Sequence, residues 1–158
     1  REVILHNGGA AIVAVDANDE LYLVSQYRSG AEQVLDEIPA GKLEKGEDPD
    51  AAIVRELREE TGFGIKKKDL IKLAEVYVTP GYCTEKLYIY FTRLKKKAGN
   101  QHRDEGELLK VKKVPYLEFL ARCMRGEVRD AKTNIGLILA RRYVETEAEN
   151  GASKGQEH

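Results

Sequence analysis

The 158-residue sequence has no tryptophan, one methionine, two cysteines and four prolines. Cys83 and Cys123 are too few for a disulfide framework and have no CxxC spacing; they suit a reducing compartment as ordinary small residues. An excess of either charge is also lacking, since 26 Lys and Arg stand against 27 Asp and Glu, a net of −1. Such a balance supplies no global field for gripping nucleic acid or an anionic membrane, so neither is expected as a partner and any charge-driven function is local. Apolar runs such as 136–140 are far too short to cross a bilayer, and the N-terminus lacks the apolar core of a signal peptide. The expected location is the cytoplasm. Because the chain begins at Arg1 and its single methionine is Met124, an N-terminal segment removed or left out is also expected. His6, His102 and His158 are scattered without ligand spacing, which argues against zinc. The phosphate-cradling loops GxGxxG and GxxxxGK[ST] do not occur, and no GxSxG elbow in a recognisable context argues for covalent catalysis.

What is present is a chain of single-domain size with 42% hydrophobic and 34% charged residues. Runs 10–16 and 21–28 are rich in β-formers around the turn-like 17–20, which predicts a β-hairpin. A strand over 34–38 should end at Pro39, which cannot donate to a ladder, and a loop should follow over 41–46. Asp48 and Pro49 read as N-cap and first helical residue, with Gly62 as the stop, so a helix is expected over 49–61. Strands are expected over 70–79, 85–95 and 108–114, and helices over 115–125 and 130–145. The segment 147–158 is polar and reads as a flexible tail after a single domain, 1–146. Strands in the middle with helices inside and at the end predict an α/β layered fold with a mixed sheet. The runs 66–68 and 95–97 are all lysine and read as solvated loop ends.

The negative charge is local. Between Glu44 and Glu60 seven acidic residues face three basic ones, a local net of −4. On a helix Glu56 and Glu60 lie about 40° apart and Glu59 about 60° to the other side, while Ile53 and Leu57 point toward a core. Like charges at this spacing cost a few tenths of a kcal/mol per pair, so the edge calls for compensation. A solvated acidic face with Arg55 paired to Glu59 would supply some; a hard divalent cation such as Mg2+, which takes carboxylate and carbonyl oxygens, would supply more.

The flanking residues favour the cation. Gly41, Glu47, Arg55, Glu56, Leu57, Glu59, Glu60, Gly62 and Phe63 match every specified position of the box G-x5-E-x7-R-E-U-x-E-E-x-G-U, where U is bulky and apolar. A chance match is on the order of one in a million, and the segment resembles the Nudix hydrolases. The resemblance implies a Nudix fold, a mixed β-sheet sandwiched between helices (α/β/α). It also implies Mg2+, with Mn2+ able to substitute, and hydrolysis of a nucleoside diphosphate linked to a second moiety. Carried over by position, Glu56, Glu60 and the Ala40 carbonyl hold metal, with Glu47 and Glu59 in support and Arg55 among the catalytic residues.

Further stretches resemble the ADP-ribose pyrophosphatase branch: Gln26-Tyr27-Arg28, Leu35-Asp36-Glu37-Ile38-Pro39-Ala40-Gly41, Pro80-Gly81-Tyr82-Cys83-Thr84-Glu85, Asp104-Glu105-Gly106-Glu107 and Asp130-Ala131-Lys132-Thr133. The branch implies Arg28, Glu37, Gly81, Tyr82 and Glu85 as substrate contacts, Arg28 through a guanidinium suited to phosphate oxygens. It implies Glu105 as the general base and Glu107 as a further metal ligand. The expected reaction is ADP-ribose to AMP and ribose 5-phosphate, with water as nucleophile. Another nucleotide sugar or dinucleotide, such as GDP-mannose or NADH, and a non-catalytic nucleotide sensor stay open beside it. A homodimer is expected; relatives usually carry an N-terminal extension that pairs with the partner subunit and helps hold adenine.

Overall fold

The structure, a computed structural model, describes residues 1–95 and 110–154, the last nine by their backbone alone. The chain runs through β1 (Gly9–Asp16), β2 (Glu20–Arg28), β3 (Gln33–Glu37), β4 (Ala40–Lys42), α1 (Pro49–Thr61), a 3-10 turn (Lys67–Asp69), β5 (Ile71–Tyr77), β6 (Lys86–Leu94), β7 (Lys110–Pro115), α2 (Tyr116–Met124) and α3 (Ala131–Lys154). The strands form one mixed sheet in the order β3-β2-β1-β6-β5, with β4 pairing β1 and β7 pairing β2. Among the described strands only β1 and β6 run parallel, in register from Gly9↔Leu87 to Asp16↔Leu94.

β1 is buried on both faces, as its unbroken apolar run requires. Ala10, Ile12 and Ala14 pack with Ile53, Leu57 and Phe63 on the α1 side. Ala11, Val13 and Val15 pack with Phe119, Leu120, Leu137 and Ala140 on the α2 and α3 side. The result is the expected three-layer α/β/α arrangement. Each fully buried leucine or isoleucine here stabilises by about 2 kcal/mol through apolar burial.

A split in the sheet positions the site. β2 pairs β7 over Glu20–Ser25 and β3 over Val24–Arg28; the overlap at Val24 and Ser25 places β7 and β3 on opposite edges. Leu21 pairs both Val15 and Val114, so β1 shares the β3 edge. Strands β1 and β2 therefore meet near their hairpin and then diverge. β3 takes the vacated edge of β2, and β4 takes that of β1 over Gly9–Ala11. β4 was not expected, since 41–46 reads as loop; with only three residues it is created by its partner and has no sequence periodicity of its own. α3 also departs from expectation, reaching Lys154 and taking in part of 147–158. Glu147, Ala148 and Glu149 are good helix formers, and no proline follows Pro115 to stop them. Among the described residues no helix is long and apolar enough to cross a membrane, and Cys83 and Cys123 are free thiols.

Candidate active site

A cleft of about 1080 Å³ opens where the two arms of the sheet part. α1 forms one wall because its ends are well defined. Asp48 accepts a hydrogen bond from the Asp50 N–H at 3.2 Å, Pro49 follows it, and Gly62 closes the helix in the left-handed region at φ 81°. With Ile53 and Leu57 buried, helical geometry turns Glu56 and Glu60 into the cleft. Glu60 accepts from the Ala40 N–H at 3.2 Å. A strand residue's own N–H and C=O leave on the same edge, so the Ala40 carbonyl points to the Glu60 side as well. Gly41 makes room: a Cβ there would overlap the Glu56 side chain.

Arg55 holds the acidic patch together. Its guanidinium reaches Glu56 at 2.8 Å, Glu47 at 3.1 Å and Glu59 at 3.3 Å. Burial pushes the Glu56 carboxyl up, the neighbouring Glu59 and Glu47 add to it, and Arg55 pulls it back only in part. The hydrogen bond from the Glu44 N–H, helped by Arg55, holds the Glu47 carboxyl below its ordinary value. Among the described residues no three His, Cys, Asp or Glu side chains are arranged to hold a metal ion. Two carboxylates and a main-chain carbonyl are nevertheless the oxygen donors a hard divalent cation takes, with the remaining positions left for water or substrate.

The opposite wall is cationic and acidic in equal measure. Arg28 grips Glu37 through Nε at 2.7 Å and a terminal nitrogen at 2.6 Å. Lys132 reaches the same Glu37 at 2.8 Å and Asp130 at 3.0 Å. Burial alone would raise the Glu37 carboxyl, but the hydrogen bonds from Arg28 and Lys132 outweigh it and hold it below the ordinary value. Glu85 lines the third side, with the His6 Nε2 4.0 Å away.

The fold thus brings Arg28, Glu37, Ala40, Arg55, Glu56, Glu60 and Glu85 to one cleft. Glu47 and Glu59 attach through Arg55 rather than lining it. Gly81 and Tyr82 lie outside its lining, in an exposed turn where the Ile4 N–H donates to the Tyr82 carbonyl at 2.7 Å. Glu105 and Glu107 fall outside the described residues. Sequence reasoning did not single out Gln26, Glu44, Asp130 and Lys132, which also line the cleft. For Lys132 the signal was an Asp-Ala-Lys-Thr segment ahead of a predicted helix, but nothing in that segment says which strand the helix start meets.

The NUDIX domain matches residues 5–135. The chain belongs to the Nudix family. This Nudix chain is 38% identical to an ADP-ribose pyrophosphatase of Bacillus subtilis (strain 168), over 84% of this chain and 71% of the relative. It is 36% identical to a methanol dehydrogenase activator of Bacillus methanolicus, over 87% and 74%. It is 32% identical to a GDP-mannose pyrophosphatase of Yersinia pestis (strain Pestoides F), over 84% and 70%. Among solved structures it resembles an ADP compounds hydrolase with a TM-score of 0.69 and 26% identity, over 88% of this chain and 74% of that one. The Nudix chain is therefore a hydrolase of the pyrophosphate bond, a family chemistry that generally uses divalent metal ions.

Proposed function

We propose that this Nudix hydrolase splits ADP-ribose into AMP and ribose 5-phosphate with Mg2+ bound at Glu56, Glu60 and the Ala40 carbonyl, Mn2+ substituting. The observation that carries the reading is that the box carboxylates Glu56 and Glu60 line one cleft with Arg28, close enough for Arg28 to feel the charge of Glu60. Arg28 uses one edge of its guanidinium on Glu37, which leaves a second edge of N–H groups for diphosphate oxygens. When bound, the cation polarises phosphoryl oxygens and acidifies an attacking water. Glu105 is the proposed acceptor of that water's proton. The new P–O bond forms from water while the bridging P–O bond breaks, with the bridging oxygen leaving on the other phosphate.

A homodimer belongs to this reading. Val3, Ile4, Leu5 and Tyr82 are exposed apolar side chains gathered where Ile4 bridges Cys83, a surface suited to a second copy. Sedimentation at micromolar concentration should give a dimer mass; a monomer would remove this part of the reading.

The test of the activity is product analysis by anion-exchange chromatography with Mg2+ and an equimolar panel of ADP-ribose, ADP-glucose, GDP-mannose, NADH and diadenosine polyphosphates. AMP and ribose 5-phosphate should appear first, and Glu60→Gln should lower the rate by about 100-fold or more. Faster consumption of GDP-mannose or NADH would move the substrate assignment within the family. Tight binding without turnover would favour a nucleotide sensor.

A further inference from the structure

We infer that Lys132 and Glu37 act as positioning residues for Arg28, so that the start of α3 aims the guanidinium that meets the diphosphate. The inference rests on the pyrophosphatase reading above and adds a chain of residues behind it.

A long arginine side chain on a strand end would sweep many rotamers, each weakening the geometry of a two-point phosphate contact. Here Glu37 takes two of its N–H groups at 2.7 and 2.6 Å and so orients the remaining edge. Glu37 can do this only if it is itself held. Its side chain is 4% exposed, and its Oε2 also accepts from Lys132 at 2.8 Å. Lys132 in turn is 12% exposed and is tied to Asp130 at 3.0 Å. Two cations and two carboxylates cancel, so Lys132 has its charge spent inside the protein rather than offered to an anion.

The anchor continues into the fold. The other oxygen of Asp130 accepts from the Thr133 N–H at 3.1 Å and the Thr133 hydroxyl at 2.5 Å. That hydroxyl accepts from the Ile38 N–H at 3.0 Å. The first turn of α3 therefore grips residues 37 and 38 twice, through a side chain and through the backbone. Glu37, expected from the family resemblance to touch substrate, has both oxygens occupied within the protein.

The experiment compares the wild-type protein with Lys132→Met, Lys132→Arg and Asp130→Asn by steady-state kinetics on ADP-ribose. It also follows calorimetric binding of the non-hydrolysable α,β-methylene analogue and thermal melting. Lys132→Met should raise KM and Kd about tenfold while kcat stays within about twofold, because the Glu56 and Glu60 side chains are untouched. Lys132→Arg should recover most of the loss. Asp130→Asn keeps a good helix cap and removes only the charge behind Lys132, so it should fold even if Lys132→Met does not, with a rise of about threefold. Added to Arg28→Ala, Lys132→Met should change KM by less than about twofold, as expected of residues acting through one group. Folded variants that bind like wild type, a fall in kcat alone, or effects that multiply with Arg28→Ala would overturn the inference. A wild-type protein that neither binds nor cleaves the panel would instead overturn the pyrophosphatase reading beneath it.

Discussion

At the scale of single residues, the site depends on what is left out as much as on what is present. Gly41 has no special backbone angle; its contribution is the missing Cβ, whose place the Glu56 side chain occupies. Gly41→Ala should therefore leave the fold standing and push Glu56 aside. We expect kcat/KM at limiting Mg2+ to fall by about 100-fold with a melting shift below about 3 °C, read by kinetics and calorimetry on the same sample. A large loss of stability with normal metal dependence would show that the glycine serves the loop instead. Arg55 is the complementary case. Three carboxylates crowd one guanidinium, which answers the like-charge repulsion that the helix wheel predicts. It leaves Glu60 to the Ala40 backbone on the cleft side.

At the scale of elements, α1 carries its own instructions and α3 does not. The cap at Asp48, the following proline and the stop at Gly62 are all local chemistry, and the helix ends where they say. α3 instead takes its seat from contacts across the sheet. A Cβ on Gly136 would come within 2.9 Å of Val13, 3.1 Å of Ile38 and 3.4 Å of Ile89. Gly136→Val should overpack this contact and cost about 1–3 kcal/mol in urea unfolding. Because Gly136 lies one turn after Lys132, the same variant should also raise KM by a few fold, about what a misplaced Lys132 predicts. An unchanged unfolding midpoint would mean that α3 can lift without strain.

At the scale of the whole molecule, near-neutral net charge means that pH acts through particular buried pairs. Glu37 is the clearest. Its folded carboxyl lies below the ordinary value, so its contribution to stability is complete above about pH 4.5 and is lost as pH falls through the lower folded value. At pH 7, Glu37→Gln should cost about 3 kcal/mol by leaving Arg28 and Lys132 without their shared anion. The gap to wild type should narrow between pH 5 and pH 3 in urea melts. A constant gap would show that the carboxylate charge contributes nothing. Much of this molecule is legible in the residues alone, because the features concerned are local. Helix caps, the apolar run of β1 and the spacing that sets Glu56 and Glu60 on one helix edge depend on neighbours within a few positions. The register of the parallel β1–β6 pair and the three-residue β4 are not legible in this way, since each is decided by a partner distant in sequence. The same holds for the Arg28–Glu37–Lys132–Asp130 group, which joins β2, β3 and the start of α3 across about 100 residues. Sequence alone determined the family chemistry and which helix bears the acidic edge. Only the tertiary structure decided which cations answer those carboxylates and what holds Arg28, because buried charge pairing is set by where the chain returns in space.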